Sequence, residues 1–211
     1  MLSFEIIFFV LAAYLTGAFP SAVWFGKTFY NIDVREFGSG NAGATNTFRV
    51  LGKKAGIPVL IMDILKGWLS VHYIIFLSGS VLNQIDYSTY FEIQLVLGIS
   101  AVMGHLFPIY TGFRGGKGIA TMLGLLIGLQ PYPAFYSVLI FLIVLLIFRY
   151  VSLASILSSI AFGIIILLQP VDNTSLDLFA IFVPILSLIT HQKNIERLMR
   201  GEETKVMFGK K

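Results

Sequence analysis

Residues 118–148 run without a single charged side chain, and comparable apolar stretches fill most of the chain on either side. In water such a run has no way to bury all of its faces, whereas a bilayer offers an apolar solvent for it. Mean hydropathy of +0.84, with 56% apolar and only 12% charged residues, extends the pattern to the whole chain. A helix needs about 20 apolar residues to cross the hydrocarbon core. Roughly seven crossings would therefore use about two thirds of the 211 residues and leave little for a separate soluble domain. The expected fold is all-α: a polytopic membrane helical bundle forming one domain over 1–211.

Spans are predicted at 3–26, 55–78, 92–110, 115–129, 134–148, 150–169 and 175–191. The apolar run from Leu2 lacks the basic leader and the small-residue cleavage site of a removable signal peptide, so it reads as the first span. Gln130-Pro131-Tyr132-Pro133 interrupts the uncharged run, because proline removes an amide donor and clashes with the preceding turn. Arg149 then calls for a polar boundary. Two short spans are expected there; a 15-residue helix covers only about 22 Å, which leaves a re-entrant or locally thinned hairpin open.

Charge placement orients the bundle. With the N-terminus outside, every one of the 15 basic residues except Lys66 falls in an inner segment: Lys27 to Lys54, Arg114 with Lys117, Arg149, and Lys193 onward. Outer segments 79–91, 130–133 and 170–174 contain no lysine or arginine, although Asp86 and Asp172 lie there. That asymmetry places the C-terminus in the cytoplasm. Lys66 falls inside the second span, three positions after Asp63 and on the same helical face. A charge at mid-bilayer costs about 2.5–3.5 kcal/mol, so the two are expected to pair as a structural bridge between helices or to reach a substrate.

Three polar motifs interrupt the apolar background and all fall on the cytoplasmic side. The first, Gly38-Ser-Gly-Asn-Ala-Gly-Ala-Thr-Asn46, has glycines (Gly38, Gly40, Gly43) that let the backbone approach an anion, and donors in Ser39, Asn41, Thr45 and Asn46. Arg49 follows and can clamp phosphate through two parallel hydrogen bonds. The alternative is a polar loop that caps the next helix. The second, Thr111-Gly-Phe-Arg-Gly-Gly-Lys-Gly118, feeds an apolar helix whose N-terminus favours phosphate. Arg114, Gly115, Gly116, Lys117 and Gly118 are its candidates; lipid headgroup anchoring by the two cations is the competing explanation. It is not a Walker A loop, since Thr111 stands where that loop needs glycine and Gly118 where it needs a hydroxyl.

The third motif begins at His191, with Asn194 on the same helical face. Its spacing to Glu196 matches a His-x-x-x-x-acid pattern that chance often produces. Arg200, Lys205, Lys210 and Lys211 read as a juxtamembrane tail attracted to anionic lipid. With no cysteine, and with His72, His105 and His191 scattered, no metal or cofactor is expected, and no nucleic-acid partner. His105 reads as structural. Gly124 and Gly128 form a small-x-x-x-small pair that can pack helices within or between chains.

Taken jointly, Gly38 to Asn46 with Arg49, Gly104-His-Leu-Phe-Pro108 with Phe113-Arg-Gly-Gly-Lys-Gly118, and His191-x-x-Asn-Ile-x-Arg-Leu-x-x-Gly-x-Glu203 resemble the three cytoplasmic motifs of the PlsY-type glycerol-3-phosphate acyltransferases. Asp63-Ile-Leu-Lys-Gly67 matches a further segment of that family, and the likeness covers nearly the whole chain. The resemblance implies acyl transfer from a fatty acyl phosphate to the sn-1 hydroxyl of glycerol 3-phosphate, giving lysophosphatidic acid and phosphate, at the bacterial cytoplasmic membrane. It implies Ser39, Arg49, Lys117, His191 and Asn194 at the active site, the glycines of the second motif in glycerol 3-phosphate binding, and a structural role for Glu203. Expected partners are the two substrates, the lipid bilayer and, as a candidate, the enzyme that makes acyl phosphate. A transporter for a small organophosphate is the rival reading, weakened by motifs that cluster at one face and by the lack of an internal repeat.

Overall fold

The computed structural model describes residues 4–171 and 173–206, and within them every regular element is a helix. The expectations at residue 3, Asp172, Lys210 and Lys211 lie outside the described residues. In chain order the helices are α1 Phe4–Ala18, α2 Ser21–Tyr30, α3 Ala44–Leu51, α4 Lys53–Val71, α5 Gly79–Leu82, α6 Tyr87–Leu106, α7 Ile119–Leu129, α8 Pro131–Phe148, α9 Val151–Leu167, α10 Thr174–Thr190 and α11 Gln192–Met199. Among the described residues three segments are long and apolar enough to cross a bilayer: Lys53–Phe76, Tyr87–Thr111 and Pro131–Phe148. Two bent pairs, α1 with α2 (43°) and α10 with α11 (64°), raise that to five if each is one span. Helices α7 and α9 are apolar but shorter.

The predicted break at Gln130 is present: α7 ends at Leu129 and α8 starts with Pro131, where a missing amide costs nothing. The first predicted span is different, because it is broken at Phe19-Pro20, and Pro20 caps α2 instead of continuing α1. With 11 residues, α7 extends only about 16 Å.

The chain divides into two compact units, Met1–Leu129 and Gln130–Lys211. In the first, α1 packs on α6 and α4 on α7, with α3 laid against α4. Lipid tails are as apolar as leucine, so these helices associate through close packing. A Cβ added at Gly17 would run into the Ala101 backbone, and one at Gly104 into the Tyr14 carbonyl. Across the other crossing, Gly67 lies against the Thr121 carbonyl and Gly124 against that of Ile64. Gly128 meets the Val71 side chain, so the Gly124/Gly128 pair serves packing within the chain. In the second unit α9 packs against α8, α10 and α11. Gly163 faces the Ala180 carbonyl, and Phe162 meets Phe179 edge-on with centroids 6.1 Å apart.

Candidate active site

In the first unit the chain leaves α2 through Asn31 and enters a turn built on Asp33. Its Oδ1 accepts from the Arg35 amide and from Arg35 Nε, both at 3.0 Å, while Oδ2 accepts from Arg35 Nη2 at 2.7 Å. Lys27 Nζ stands 3.4 Å from the same carboxylate. The Arg35 hydrogen bonds hold the Asp33 carboxyl well below the usual range, outweighing partial burial, and Lys27 adds to the effect. Arg35 has one more donor in use: Nη1 reaches the Thr111 carbonyl at 3.2 Å. The second polar motif is thereby fastened to the approach of the first.

The first motif is organised by Asn46. It is 1% exposed, and its Oδ1 accepts from both the amide (2.8 Å) and hydroxyl (3.1 Å) of Ser39. Its Nδ2 donates to the carbonyls of Val34 (2.7 Å) and Phe37 (3.1 Å). Those four bonds use the whole capacity of a side-chain amide. Asn46 therefore shapes the loop from within, while Ser39 and Arg49 stand exposed and Asn41 is half-buried. Gly38 adopts a φ of +63°, and a Cβ there would clash with Asn46 Oδ1 and sit 3.4 Å from Arg49 Cδ, so the arginine stem runs alongside this glycine. Gly40 also has positive φ, while Gly43 caps α3 in extended backbone.

The second motif is a tight turn pinned to the end of α6. Phe113 N donates to the Pro108 carbonyl at 2.9 Å and Gly116 N to the His105 carbonyl at 3.1 Å. Gly115 and Gly116 lie where any Cβ would strike His105 or Leu106. From Gly118 the chain turns into α7, with Met122 N donating back to the Gly118 carbonyl at 2.7 Å. Arg114 is exposed and Lys117 half-buried at the helix entry. Ala42 of the first motif and Gly115 and Gly116 of the second wall one small cavity of about 10 Å³. A larger open hollow, about 430 Å³, is lined by Lys27, Asp33, Glu36 and Phe37, the last of which leads into the first glycine motif.

In the second unit His191 occupies the bend between α10 and α11 and is buried. Its Nδ1 lies 2.8 Å from the Ser187 carbonyl, which requires the proton on Nδ1 and leaves Nε2 as an acceptor in the neutral ring. Asn194 Nδ2 donates to Glu203 Oε1 at 2.7 Å, so its amide orientation is set by a carboxylate. The same oxygen accepts from Ser152 Oγ at 2.8 Å, and Oε2 accepts from Arg197 Nε at 2.7 Å. Burial pushes the Glu203 carboxyl up, but the bonds from Arg197, Asn194 and Ser152 together hold it below its ordinary value. Further along, Val206 N donates to the Arg149 carbonyl at 2.7 Å and Lys205 lies over the Tyr150 ring.

The first two motifs are thus brought together in one unit, and His191 and Asn194 in the other. Sequence reasoning missed the Asp33–Arg35 turn and the role of Ser152. An aspartate two before an arginine at a helix exit was the available signal for the first; the His191 bond goes to the backbone carbonyl of Ser187, which no side chain announces.

The family model for glycerol-3-phosphate acyltransferase matches residues 7–201. Glycerol-3-phosphate acyltransferases of Staphylococcus aureus strains Newman and JH9 are each 44% identical over 203 residues, 96% of this chain and 98% of theirs. Two crystal structures of PlsY, an integral membrane glycerol 3-phosphate acyltransferase, are also similar, each at 33% identity. The glycerol 3-phosphate form gives a TM-score of 0.81 over 96% of both chains. The lysophosphatidic acid form gives 0.78 over 96% of this chain and 95% of that one.

Proposed function

The chain belongs to the glycerol-3-phosphate acyltransferase family, and we propose that it acylates the sn-1 hydroxyl of glycerol 3-phosphate with a fatty acyl phosphate at the cytoplasmic face of a bacterial inner membrane. Seven crossings, with the N-terminus outside, complete the reading. Three long apolar segments, two bent pairs and two shorter apolar helices support that count, and the one-sided distribution of lysine and arginine supports the orientation.

The substrate hydroxyl oxygen attacks the acyl carbonyl carbon, the bond from that carbon to the phosphate oxygen breaks, and the hydroxyl proton leaves on the departing phosphate. The products are lysophosphatidic acid and inorganic phosphate. Because the donor already carries a good leaving group, no acyl-enzyme is required. Both substrates are anionic, so cations and backbone amides must offset their repulsion. Arg49 and Lys117 are assigned the phosphates, with Arg114 and the amides of Gly115, Gly116 and Gly118 completing the grip on glycerol 3-phosphate. Ser39 and Asn194 are assigned the hydroxyl and carbonyl oxygens, and His191 Nε2 an accepting position. Gly38, Gly40, Asn41 and Gly43 let the backbone of the first loop approach the ligand, and Asn46 holds that loop in shape. The enzyme that makes acyl phosphate is the partner this donor implies.

The observation that carries the reading is the pair of glycine loops, joined by Arg35 through Thr111 and each accompanied by a cation. Purified protein with acyl phosphate and glycerol 3-phosphate should form lysophosphatidate, and Arg49→Ala or Lys117→Ala should lower that activity by roughly 10²–10³-fold. Activity within a few-fold of wild type in both variants would overturn the assignment. An acyl group trapped on the protein from labelled acyl phosphate would overturn direct transfer.

A further inference from the structure

Beneath the second glycine loop lies a charged cluster to which the assigned roles give no work. Asp63 and Lys66 of α4 and His105 at the end of α6 are all buried, at 1%, 5% and 6% exposure. Lys66 Nζ lies 2.8 Å from Asp63 Oδ1 and donates to the Phe19 carbonyl at 3.2 Å, at the break between α1 and α2. His105 Nδ1 stands 3.6 Å from the same Asp63 oxygen. Neither Asp63 oxygen has a partner in good hydrogen-bond geometry among the described residues, so the carboxylate is held by charge. Three separate parts of the unit meet at one ion pair.

The loop sits directly on this cluster. His105 touches it twice: its backbone carbonyl takes the Gly116 amide at 3.1 Å, and its ring fills the space where a Gly116 Cβ would go. Lys66, His105, Gly115 and Gly116 line the same small cavity. An ion pair buried this deeply gives little stability over well-packed apolar side chains of equal volume, so helix packing alone is a weak reason to keep it. It does tie α4 to its neighbours, since Lys66 also donates to the Phe19 carbonyl at the α1–α2 break and His105 of α6 stands against Asp63.

We propose that Asp63, Lys66 and His105 form a positioning cluster that sets the Gly115–Gly116 backbone at the height and angle needed to bind the phosphate of glycerol 3-phosphate. The inference rests on the assignment of that loop to glycerol 3-phosphate. None of the three residues touches substrate; they act through the His105 ring and carbonyl.

The test is steady-state kinetics with each substrate varied in turn, alongside thermal unfolding in detergent, for Asp63→Leu/Lys66→Met, His105→Leu, His105→Asn and Lys117→Ala. The double variant removes both charges at similar volume, so it folds even where a single charge left behind would not. It should raise KM for glycerol 3-phosphate at least tenfold, with KM for acyl phosphate within twofold and the unfolding temperature near wild type. His105→Leu should do the same, and His105→Asn, which keeps a donor near the Nδ1 position, should recover most of the loss. A double variant with wild-type KM for glycerol 3-phosphate, while Lys117→Ala is strongly impaired, would overturn the inference and leave the loop assignment standing. Wild-type behaviour of Lys117→Ala would instead overturn the loop assignment, and the inference with it.

Discussion

In the first unit a side-chain amide and glycine backbone shape the first polar loop, and in the second one carboxylate orients Asn194. Around Asn46, four atoms of the loop from Val34 to Ser39 are fixed by one side-chain amide, and the glycines supply conformations that other residues resist. Around Glu203, three side chains from α9 and α11 converge on one pair of charged oxygens. Backbone scaffolding presents many amides in a fixed array, which suits a phosphate that must be gripped from several sides. A carboxylate hub aims a single side chain, Asn194, and its strength depends on remaining ionised. The first design is sensitive to added volume and the second to charge and pH.

The largest effect expected from this contrast is at the cations that the scaffold serves. Arg49→Ala or Lys117→Ala should lower kcat/KM by roughly 10²–10³-fold with little change in unfolding temperature; a matching loss of stability would mean that the side chain belongs to the scaffold. Asn46→Ala should come next. It removes the partner of the Ser39 amide, at about 1–3 kcal/mol, and one of two donors to each of the Val34 and Phe37 carbonyls, which still accept from Phe37 N and Gly40 N, and should lower both stability and activity. Ser39→Ala should lower activity alone, and thermal unfolding of the two variants side by side separates the effects.

Glu203→Gln should be milder, costing about 1.5–3 kcal/mol as charge-assisted bonds to Asn194 and Arg197 weaken. The folded pKa of Glu203 is depressed, so its ionised form contributes stability above the unfolded value of about 4.3, and that contribution is lost as pH falls through the lower folded value. Unfolding followed against pH should show an acid limb in the wild type that is flatter in Glu203→Gln. The smallest effect is expected from Arg35→Lys, which keeps a charge near Asp33 but loses the donor to Thr111. A few-fold rise in KM for glycerol 3-phosphate, with kcat retained, is the expected outcome.

Much of this was legible in the chain because it depends on local chemistry. Helix α8 begins where Pro131 allows, and the apolar runs mark α9 to within two residues, while α4 ends seven residues before the predicted boundary and α6 starts five before it. The break at Pro20 was equally visible in principle, but the apolar residues around it masked the missing amide. The 64° bend at His191 follows no proline or glycine at that position and is a property of the folded unit. What could not be read was valence. Asn46 looks like a ligand donor until Ser39, Val34 and Phe37 are seen to occupy it, and Asp63 with Lys66 looks like a local pair until His105 arrives from another helix. Partners distant in sequence decide what a polar side chain has left to offer.

Donor identity tests the central claim most directly. Purified protein should be supplied in parallel reactions with acyl phosphate, acyl-CoA or acyl carrier protein, each with and without glycerol 3-phosphate, and scored for lysophosphatidate and free phosphate. The account predicts both products from acyl phosphate, and only when glycerol 3-phosphate is present. Phosphate release without the acceptor, or equal use of a thioester donor, would contradict it.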